Sequence, residues 1–293
     1  MDRMTLDDGF DDATLDLSVW SPYYLPHWSS RAATAATYEL GDSCLTLSIP
    51  PSQGLWCAGD HTPDLRVSGI QSGNYSGPVG STVGQQPYRD GLLVREAQPP
   101  FWGWTPAGGR VELRARANLS PRSMAALWMI GLEDQPDHCA EICIMEVFGD
   151  AVAPGASAAV GMGLHSFRDP STTEDFEAVR LPIDISEFHT YAVTWSDGLA
   201  VFSVDGTEVR RCTGAPTYPL QLMLAVFDFP DRSTGADTHL TPTFTIDHLR
   251  GSEHADQPSA ALRWIVDDPQ PSLIRLAAVQ GTDVVGRDGA RAT

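Results

Sequence analysis

The sequence has no lysine, and all 19 of its basic side chains are arginines. Positive charge is scarce, because 38 acidic residues give a formal net charge of −19 at pH 7. A chain with this balance is repelled by nucleic-acid backbones and by anionic membranes. No apolar run approaches the ~20 residues that span a bilayer. The sequence therefore indicates a protein that has neither nucleic acid nor membrane as its partner.

Cysteine is also sparse, and its pattern bears on the compartment. The five cysteines are odd in number and lack the regular spacing of a disulfide framework, which favours reduced thiols. The first residues, MDRMTLDDGFDD, are acidic, whereas a secretory signal is positively charged and then apolar. We therefore expect a cytoplasmic protein, or a secreted one if a leader has been removed.

Long helical patterns are missing, and short alternating segments with frequent turn residues take their place. The chain contains 26 glycines and 22 prolines, and 42% of its residues are hydrophobic. Residues 188–211 contain two turn dipeptides, Asp197-Gly198 and Asp205-Gly206, which separate the segments YAVTW, LAVFSV and TEVRR and predict a three-stranded antiparallel meander. Further strands are predicted at residues 44–49, 110–117, 220–229 and 243–249. This pattern indicates an all-β sandwich or barrel.

The composition changes after residue 251. The segment SEHADQPSA is polar and typical of a linker, Leu262–Val266 could add one strand, and the last residues read as a frayed end. We therefore predict one domain over residues 1–251 and a partly disordered C-terminal extension over residues 252–293.

Two glutamates stand in the apolar segment AEICIMEVFG, where an ionised carboxylate needs a partner or a cleft. Glu141 and Glu146 are five residues apart, so a regular strand would point them to opposite faces. A single β-bulge, most simply at Met145, would put Glu141, Cys143 and Glu146 on one face. The two carboxyl groups could then approach to about 5 to 5.5 Å, the separation of a retaining glycosidase pair. The alternative is a solvated strand face.

AEICIMEVFGD resembles the E-x-D-x-x-E motif of glycoside hydrolase family 16, the laminarinase and lichenase group. Four flanking segments, PAGGRVELRARA, ALWMIG, MGLHSF and FHTYAVTWSDGLAVFSVDG, are similar to family strands in the same order. The resemblance covers residues 1 to 250. It implies a concanavalin-like β-jelly-roll sandwich of two curved antiparallel sheets.

The resemblance also implies a reaction. Glu141 takes the place of the nucleophile and Glu146 that of the general acid/base in a retaining, endo-acting β-glycosidase. The expected substrates are β-1,3- or mixed β-1,3/1,4-linked glucans, and the expected partner is a polysaccharide or oligosaccharide bound by a monomer. Glu146 is expected to have a raised pKa and Glu141 a low one.

The sequence departs from the family pattern at two places. Cys143 stands where the family has an aspartate that hydrogen-bonds the nucleophile, and a thiol is a weak donor. Ala225 takes the place of a cleft asparagine, and residues 227–229 lie near the position of two glycines. We therefore expect an altered acid limb in the pH profile and altered substrate contacts on that side of the cleft.

Further site residues follow from the resemblance or from sugar chemistry. Trp128 would face the cleft and stack on a sugar ring, and Trp102 and Trp104 could do the same, because sugar faces stack well on indole. His165 would hydrogen-bond a substrate hydroxyl. For each of these four residues a purely structural role is the alternative.

No cofactor is expected for the reaction, but the resemblance implies a structural calcium held by Asp247. Zinc is disfavoured, because Cys139 and Cys143 with His138 lack a fourth ligand and the spacing of a zinc knuckle. Two other functions stay open for the chain. It could be a non-catalytic, lectin-like carbohydrate-binding protein on the same fold, or an interaction protein whose tail recruits a partner.

Overall fold

The computed structural model describes residues 3–237 and 240–253, and strands dominate it. The strands are β1 Arg3–Asp8, β2 Tyr38–Gly41, β3 Cys44–Ser48, β4 Arg66–Gln71, β5 Gly73–Asn74, β6 Phe101–Trp102, β7 Gly109–Asn118, β8 Ser123–Gly131, β9 Glu141–Phe148, β10 Val152–Ala153, β11 Ser157–His165, β12 Asp175–Leu181, β13 His189–Ser196, β14 Leu199–Val204, β15 Thr207–Thr213, β16 Leu220–Asp228 and β17 Thr243–Glu253. Helix α1 is Arg31–Thr34, and 3-10 turns are Pro26–Trp28, Gly149–Ala151 and Pro230–Arg232. Within these described residues, every helix is too short or too polar to cross a bilayer.

The strands form two large antiparallel sheets. The eight-stranded sheet has the order β15-β14-β13-β7-β17-β3-β2, and β1 pairs with β17 beside β3. The seven-stranded sheet has the order β10-β11-β9-β8-β16-β4, and β12 pairs with β11 at its edge. Strands β5 and β6 form a small separate ribbon. The predicted all-β jelly-roll sandwich is thus confirmed.

Alternation along the strands builds the core between the sheets. In β7, Val111 and Leu113 are fully buried while their neighbours are partly exposed, as period-two patterning requires. Strands β8 and β16 are buried on both faces: Leu127 packs into the inter-sheet core, and Trp128 packs into a second cluster on the opposite face. We call this opposite face of the seven-stranded sheet the outer face. Loop residues such as Trp56 cover part of it.

The predicted meander is confirmed as β13-β14-β15. Asp197 and Gly198 have φ values of 49° and 76°, and Asp205 and Gly206 have φ values of 49° and 75°. Two successive positive φ values match the right-handed twist of a tight hairpin, which explains an Asp-Gly pair at both turns.

The last described strand extends past the predicted domain boundary. Strand β17 continues to Glu253, which pairs with Gly109 of β7 and with Arg3 of β1. Residue 251 therefore lies within a strand at the centre of its sheet. The predicted extension beyond Glu253, including the strand expected at 262–266, lies outside the described residues.

Candidate active site

A one-residue bulge in β9 brings the two glutamates to one face. On the β8 side, Met145 pairs with Leu127 and Cys143 pairs with Trp128, so Ile144 has no partner in the ladder. The ladder with β11 skips a residue at the same place. Ile144 and Met145 both pack into the inter-sheet core. The extra residue is therefore Ile144, one position before the predicted Met145. As expected of a single bulge, it lets Glu141 and Glu146 point to the same face of the sheet.

Glu141, Cys143 and Glu146 line one pocket of about 270 Å³ on the outer face. Its other lining residues are Tyr24, His61, Leu65, Gln86, Met124, Ala126, Trp128, Phe227 and Phe229. The pocket thus combines two carboxyl groups and a thiol with a largely apolar and aromatic wall. Such walls suit the apolar faces of sugar rings.

Both carboxyl groups have raised pKa values in this pocket. Burial, reinforced by the negative charges of Glu146 and Glu174, raises the pKa of Glu141 to about 8. Burial also raises the pKa of Glu146, and the imidazole of His165 opposes that rise. The expectation of a low pKa for Glu141 is therefore corrected: a buried carboxylate without a neighbouring cation favours its neutral form.

Cys143 does not replace the hydrogen bond that an aspartate would make. Its thiol donates to the carbonyl oxygen of Gly161, with an Sγ–O distance of 3.8 Å, and no bond joins it to Glu141 in the described part of the chain. Burial, with the nearby carboxylates, raises the pKa of the Cys143 thiol well above its usual range. The thiol is therefore neutral at pH 7.

Trp128 is 6% exposed and contributes to the pocket wall. Its ring meets Tyr24 edge-on, with centroids 6.5 Å apart, and lies 6.0 Å from the ring of Phe227. Most of the indole is thus part of the outer-face cluster. Only a small part of it remains accessible for contact with a ligand.

His165 lies directly opposite Glu141 in the β9–β11 ladder and shares its face of the sheet. Its Nδ1 is 2.7 Å from a carboxylate oxygen of Glu174, and its ring stacks on Phe176 with centroids 4.5 Å apart. Sequence reasoning missed Glu174 and Phe176. They belong to no recognisable motif and reach the site only through the pairing of β12 with β11.

Two of the proposed sugar platforms lie elsewhere. Trp104 is 6% exposed and belongs to the inter-sheet core, where its Nε1–H donates to the hydroxyl of Thr5 and its ring packs on Gly251. Trp102 is half-buried in the β5–β6 ribbon, opposite Gly73. Neither indole lines the pocket of Glu141. The expectation that Trp104 stacks on a sugar is corrected, because its ring is buried in the core, and the expected role of Trp102 stays a prediction.

The surroundings of Asp247 do not suit calcium. One carboxylate oxygen lies 3.1 Å from Arg114 Nη1, and the other lies 2.7 Å from His248 Nδ1. A guanidinium beside one of the two ligand oxygens repels a cation. In residues 3–237 and 240–253, no group of three or more His, Cys, Asp or Glu side chains is arranged to hold a metal ion.

The second departure from the family pattern makes the pocket more apolar. Ala225 is fully buried in the outer-face cluster, and Phe227 and Phe229 line the pocket. Tyr24, His61 and Gln86 also line it, although they come from loops far away in sequence. No local pattern marks these three residues, because the fold of the loops over the sheet brings them there.

The structure is thus an open two-sheet β-sandwich with two carboxyl groups in one pocket on its outer face. Residues 107–240 match the family model described as glycosyl hydrolases family 16. The resemblance found in the sequence is thereby confirmed over these residues. No curated protein sequence matches the chain.

Solved structures share the fold. A GlcNAcα1-4Gal releasing endo-β-galactosidase from Clostridium perfringens superposes with a TM-score of 0.72 at 24% identity, over 88% of this chain and 64% of that enzyme. The chain thus spans somewhat less than two thirds of that relative. The catalytic domain of an endo-1,3-β-glucanase (laminarinase) from Thermotoga petrophila RKU-1 gives a TM-score of 0.58 at 17% identity, over 87% of this chain and 99% of that domain. A laminarinase from Flavobacterium sp. UMI-01 gives a TM-score of 0.56 at 17% identity, over 86% of this chain and 100% of that enzyme.

Proposed function

We propose that the protein is a retaining, endo-acting β-glycosidase that hydrolyses β-1,3- or mixed β-1,3/1,4-linked glucan by double displacement. The observation that carries the proposal is the bulge in β9, which puts Glu141 and Glu146 in the same pocket. Two carboxyl groups on opposite sides of a bound sugar are what this reaction requires.

Each glutamate has one role in each half of the reaction. Glu146 donates its proton to the glycosidic oxygen as that bond breaks, and the Glu141 carboxylate attacks the anomeric carbon to form a glycosyl ester. The Glu146 carboxylate then removes a proton from water, which cleaves the ester and restores both groups. Because burial favours the protonated form of Glu141, the fraction of molecules whose Glu141 is ionised for attack increases with pH.

The β-glucan assignment rests on the laminarinases that share the fold. A β-galactosyl linkage is the second candidate, because the structure that superposes with a TM-score of 0.72 is an endo-β-galactosidase. The aromatic wall of Tyr24, Trp128 and Phe227 would contact a sugar face in either case.

A carbohydrate-binding protein without activity is the alternative. It is favoured by one observation: Glu141 has no hydrogen-bond donor among the described residues, and its pKa is about 8. In such a protein the pocket would bind a glycan but leave the glycosidic bond intact.

Two parallel measurements separate the two functions. Reducing ends are assayed on β-1,3-glucan, mixed-linked glucan and β-galactan, and migration is followed in gels that contain the same polymers. A glycosidase releases ends from at least one polymer. A lectin-like protein is retarded in the gel but releases none, and that result would reject the enzymatic proposal.

A further inference from the structure

Next to Glu146, a side chain from strand β12 packs over the outer face of strand β11. Gly161 lies opposite Glu146 in the β9–β11 ladder. A Cβ atom at position 161 would lie 2.6 Å from Cζ of Phe176 and 3.2 Å from Cβ of Glu146. The Phe176 ring therefore occupies the space that a side chain at position 161 would fill, next to the Glu146 side chain. Only glycine permits this close approach.

Phe176 is the large apolar group on this side of Glu146. On the other side, the residue opposite Glu146 is Ala126, whose side chain is a single methyl group. The Phe176 ring also stacks on the imidazole of His165, with an interplanar angle of 28°. The Phe176 ring thus lies next to Glu146 and also against the imidazole of His165.

Glu174 forms a hydrogen bond with Nδ1 of His165. Burial tends to raise the pKa of Glu174, but the backbone N–H of Ser166 and the imidazole lower it overall, so Glu174 is ionised. An ionised carboxylate only accepts hydrogen bonds, so Nδ1 of His165 carries a proton and donates the hydrogen bond to Glu174. The proton on Nδ1 leaves Nε2 as the acceptor of the neutral ring, and in the described residues Nε2 has no protein partner.

The segment that carries Glu174 and Phe176 is anchored from its other face. Arg210 of β15 forms ion pairs with Asp175 and with Glu177, the latter with an N–O distance of 2.6 Å. The thiol of Cys212 also donates to the backbone carbonyl oxygen of Asp175. Because successive strand residues alternate between faces, these contacts hold the strand while Glu174 and Phe176 point to the pocket side.

We propose that Glu174 and Phe176 are positioning residues of this site, in which Phe176 shields Glu146 from water and Glu174 with Phe176 fixes the ring of His165 with Nε2 directed to substrate. The inference rests on the proposed function for its catalytic meaning. The geometry by itself predicts how the two side chains affect the titration of Glu146 and the tautomer of His165.

Several charged or titratable groups surround Glu146 and influence its titration together with Phe176. They are Glu141 and Cys143 on β9, His165 on β11, Glu174 before β12, Tyr24 and His61 across the pocket, and Arg232 over the ring of Phe148. Phe176→Ala removes none of these groups, although it also frees the face of the His165 ring on which Phe176 stacks. It admits water beside Glu146, which stabilises the carboxylate and lowers the pKa of this group.

The experiment compares Phe176→Ala and the milder Phe176→Leu with Phe188→Ala. Phe188 is a half-buried phenylalanine that immediately precedes strand β13 and packs under Arg114 and Arg116. It serves as the matched control. Carbon NMR of labelled glutamate carboxyl groups follows the titration of Glu146, which is assigned with Glu146→Gln. The pH profile of kcat is recorded in parallel.

We expect Phe176→Ala to lower the pKa of Glu146 by ~1 unit and to move the basic limb of kcat by the same amount. Phe176→Leu should give a smaller shift, and Phe188→Ala none. Equal titration curves for the Phe176 variants and the control would overturn the shielding role. If the parent protein cleaves none of the polymers, the proposed function fails, but the carboxyl titration still decides the role of Phe176.

Glu174→Gln tests the second half of the proposal, with Glu208→Gln, an exposed glutamate paired with Arg211, as the control. Nitrogen NMR of the His165 ring should show a single Nδ1–H tautomer in the parent and in Glu208→Gln, and a mixture in Glu174→Gln. An unchanged tautomer in Glu174→Gln would overturn the role assigned to Glu174.

Discussion

The Cys143 thiol donates a hydrogen bond to the carbonyl oxygen of Gly161 across the β9–β11 ladder, with an Sγ–O distance of 3.8 Å. The thiol therefore points to the neighbouring strand, although Cys143 lies between the two glutamates on the pocket face. Glu141 is left to the apolar surroundings of the pocket. The raised pKa of Glu141 follows from this arrangement.

Substitution of the proposed nucleophile should stop turnover but not binding. We expect Glu141→Gln to reduce kcat by about three orders of magnitude or more, because the amide cannot form the glycosyl ester. Retardation in a glycan gel should be nearly unchanged. Glu208→Gln, an exposed glutamate paired with Arg211, is the control. Hydrolysis by Glu141→Gln at the parent rate would show that another group is the nucleophile.

The stereochemistry of the product tests the double displacement. Two inversions at the anomeric carbon should release products in the β configuration before mutarotation. Proton NMR of the anomeric signals in the first minutes of the reaction measures this directly. Initial formation of the α-anomer would instead indicate single displacement by water.

Introducing an acid at position 143 should change the pH profile. In Cys143→Asp, a protonated aspartate that donates to Glu141 would stabilise the Glu141 carboxylate, so the acid limb of kcat/KM should move to lower pH. If both acids ionise, their repulsion should distort the profile instead. The two outcomes are distinguished by measuring kcat/KM from about pH 4 to 10, a range set to include the usual carboxyl and thiol values.

Removing the thiol should have little effect. Because the Cys143 thiol bonds to Gly161 and not to Glu141, Cys143→Ala should cost ~1 kcal/mol or less in stability and leave the acid limb in place. A loss of several orders of magnitude in kcat, with the fold intact, would show that the thiol takes part in the reaction.

The buried Glu141 should make stability depend on pH. Its pKa is raised by folding to about 8, so the folded state keeps a proton that the unfolded chain releases above its usual value. The stabilising contribution is complete below the unfolded pKa and is lost as pH rises towards 8. Glu141→Gln should therefore melt roughly 5 °C or more above the parent at pH 8, and close to it at pH 4. Equal melting temperatures at pH 8 would argue against a buried, protonated Glu141.

The position of Trp104 predicts a structural phenotype. Its indole lies in the inter-sheet core, so Trp104→Ala should lower the free energy of unfolding by ~3–5 kcal/mol. KM measured well below the melting temperature should stay unchanged. Denaturant unfolding and steady-state kinetics on one preparation test both statements, and an increase in KM without loss of stability would contradict the assignment to the core.

The sequence by itself determined the strand pattern and much of the candidate site. Period-two alternation is a local property, so β3, β7 and the meander could be predicted from short segments. The Asp-Gly turns are local as well. The parity of Glu141 and Glu146 required only the inference of one extra residue, because both glutamates lie on a single strand.

Only the tertiary structure decided what surrounds these residues. Trp104 and Trp128 both stand among apolar residues in the sequence, but Trp104 lies between the sheets and Trp128 lies on the outer face. The pKa of Glu141 and the contacts of His165 depend on groups brought together by strand pairing and loop packing. Burial, charge and ring stacking act across space between residues distant in sequence, so local periodicity contains no information about them.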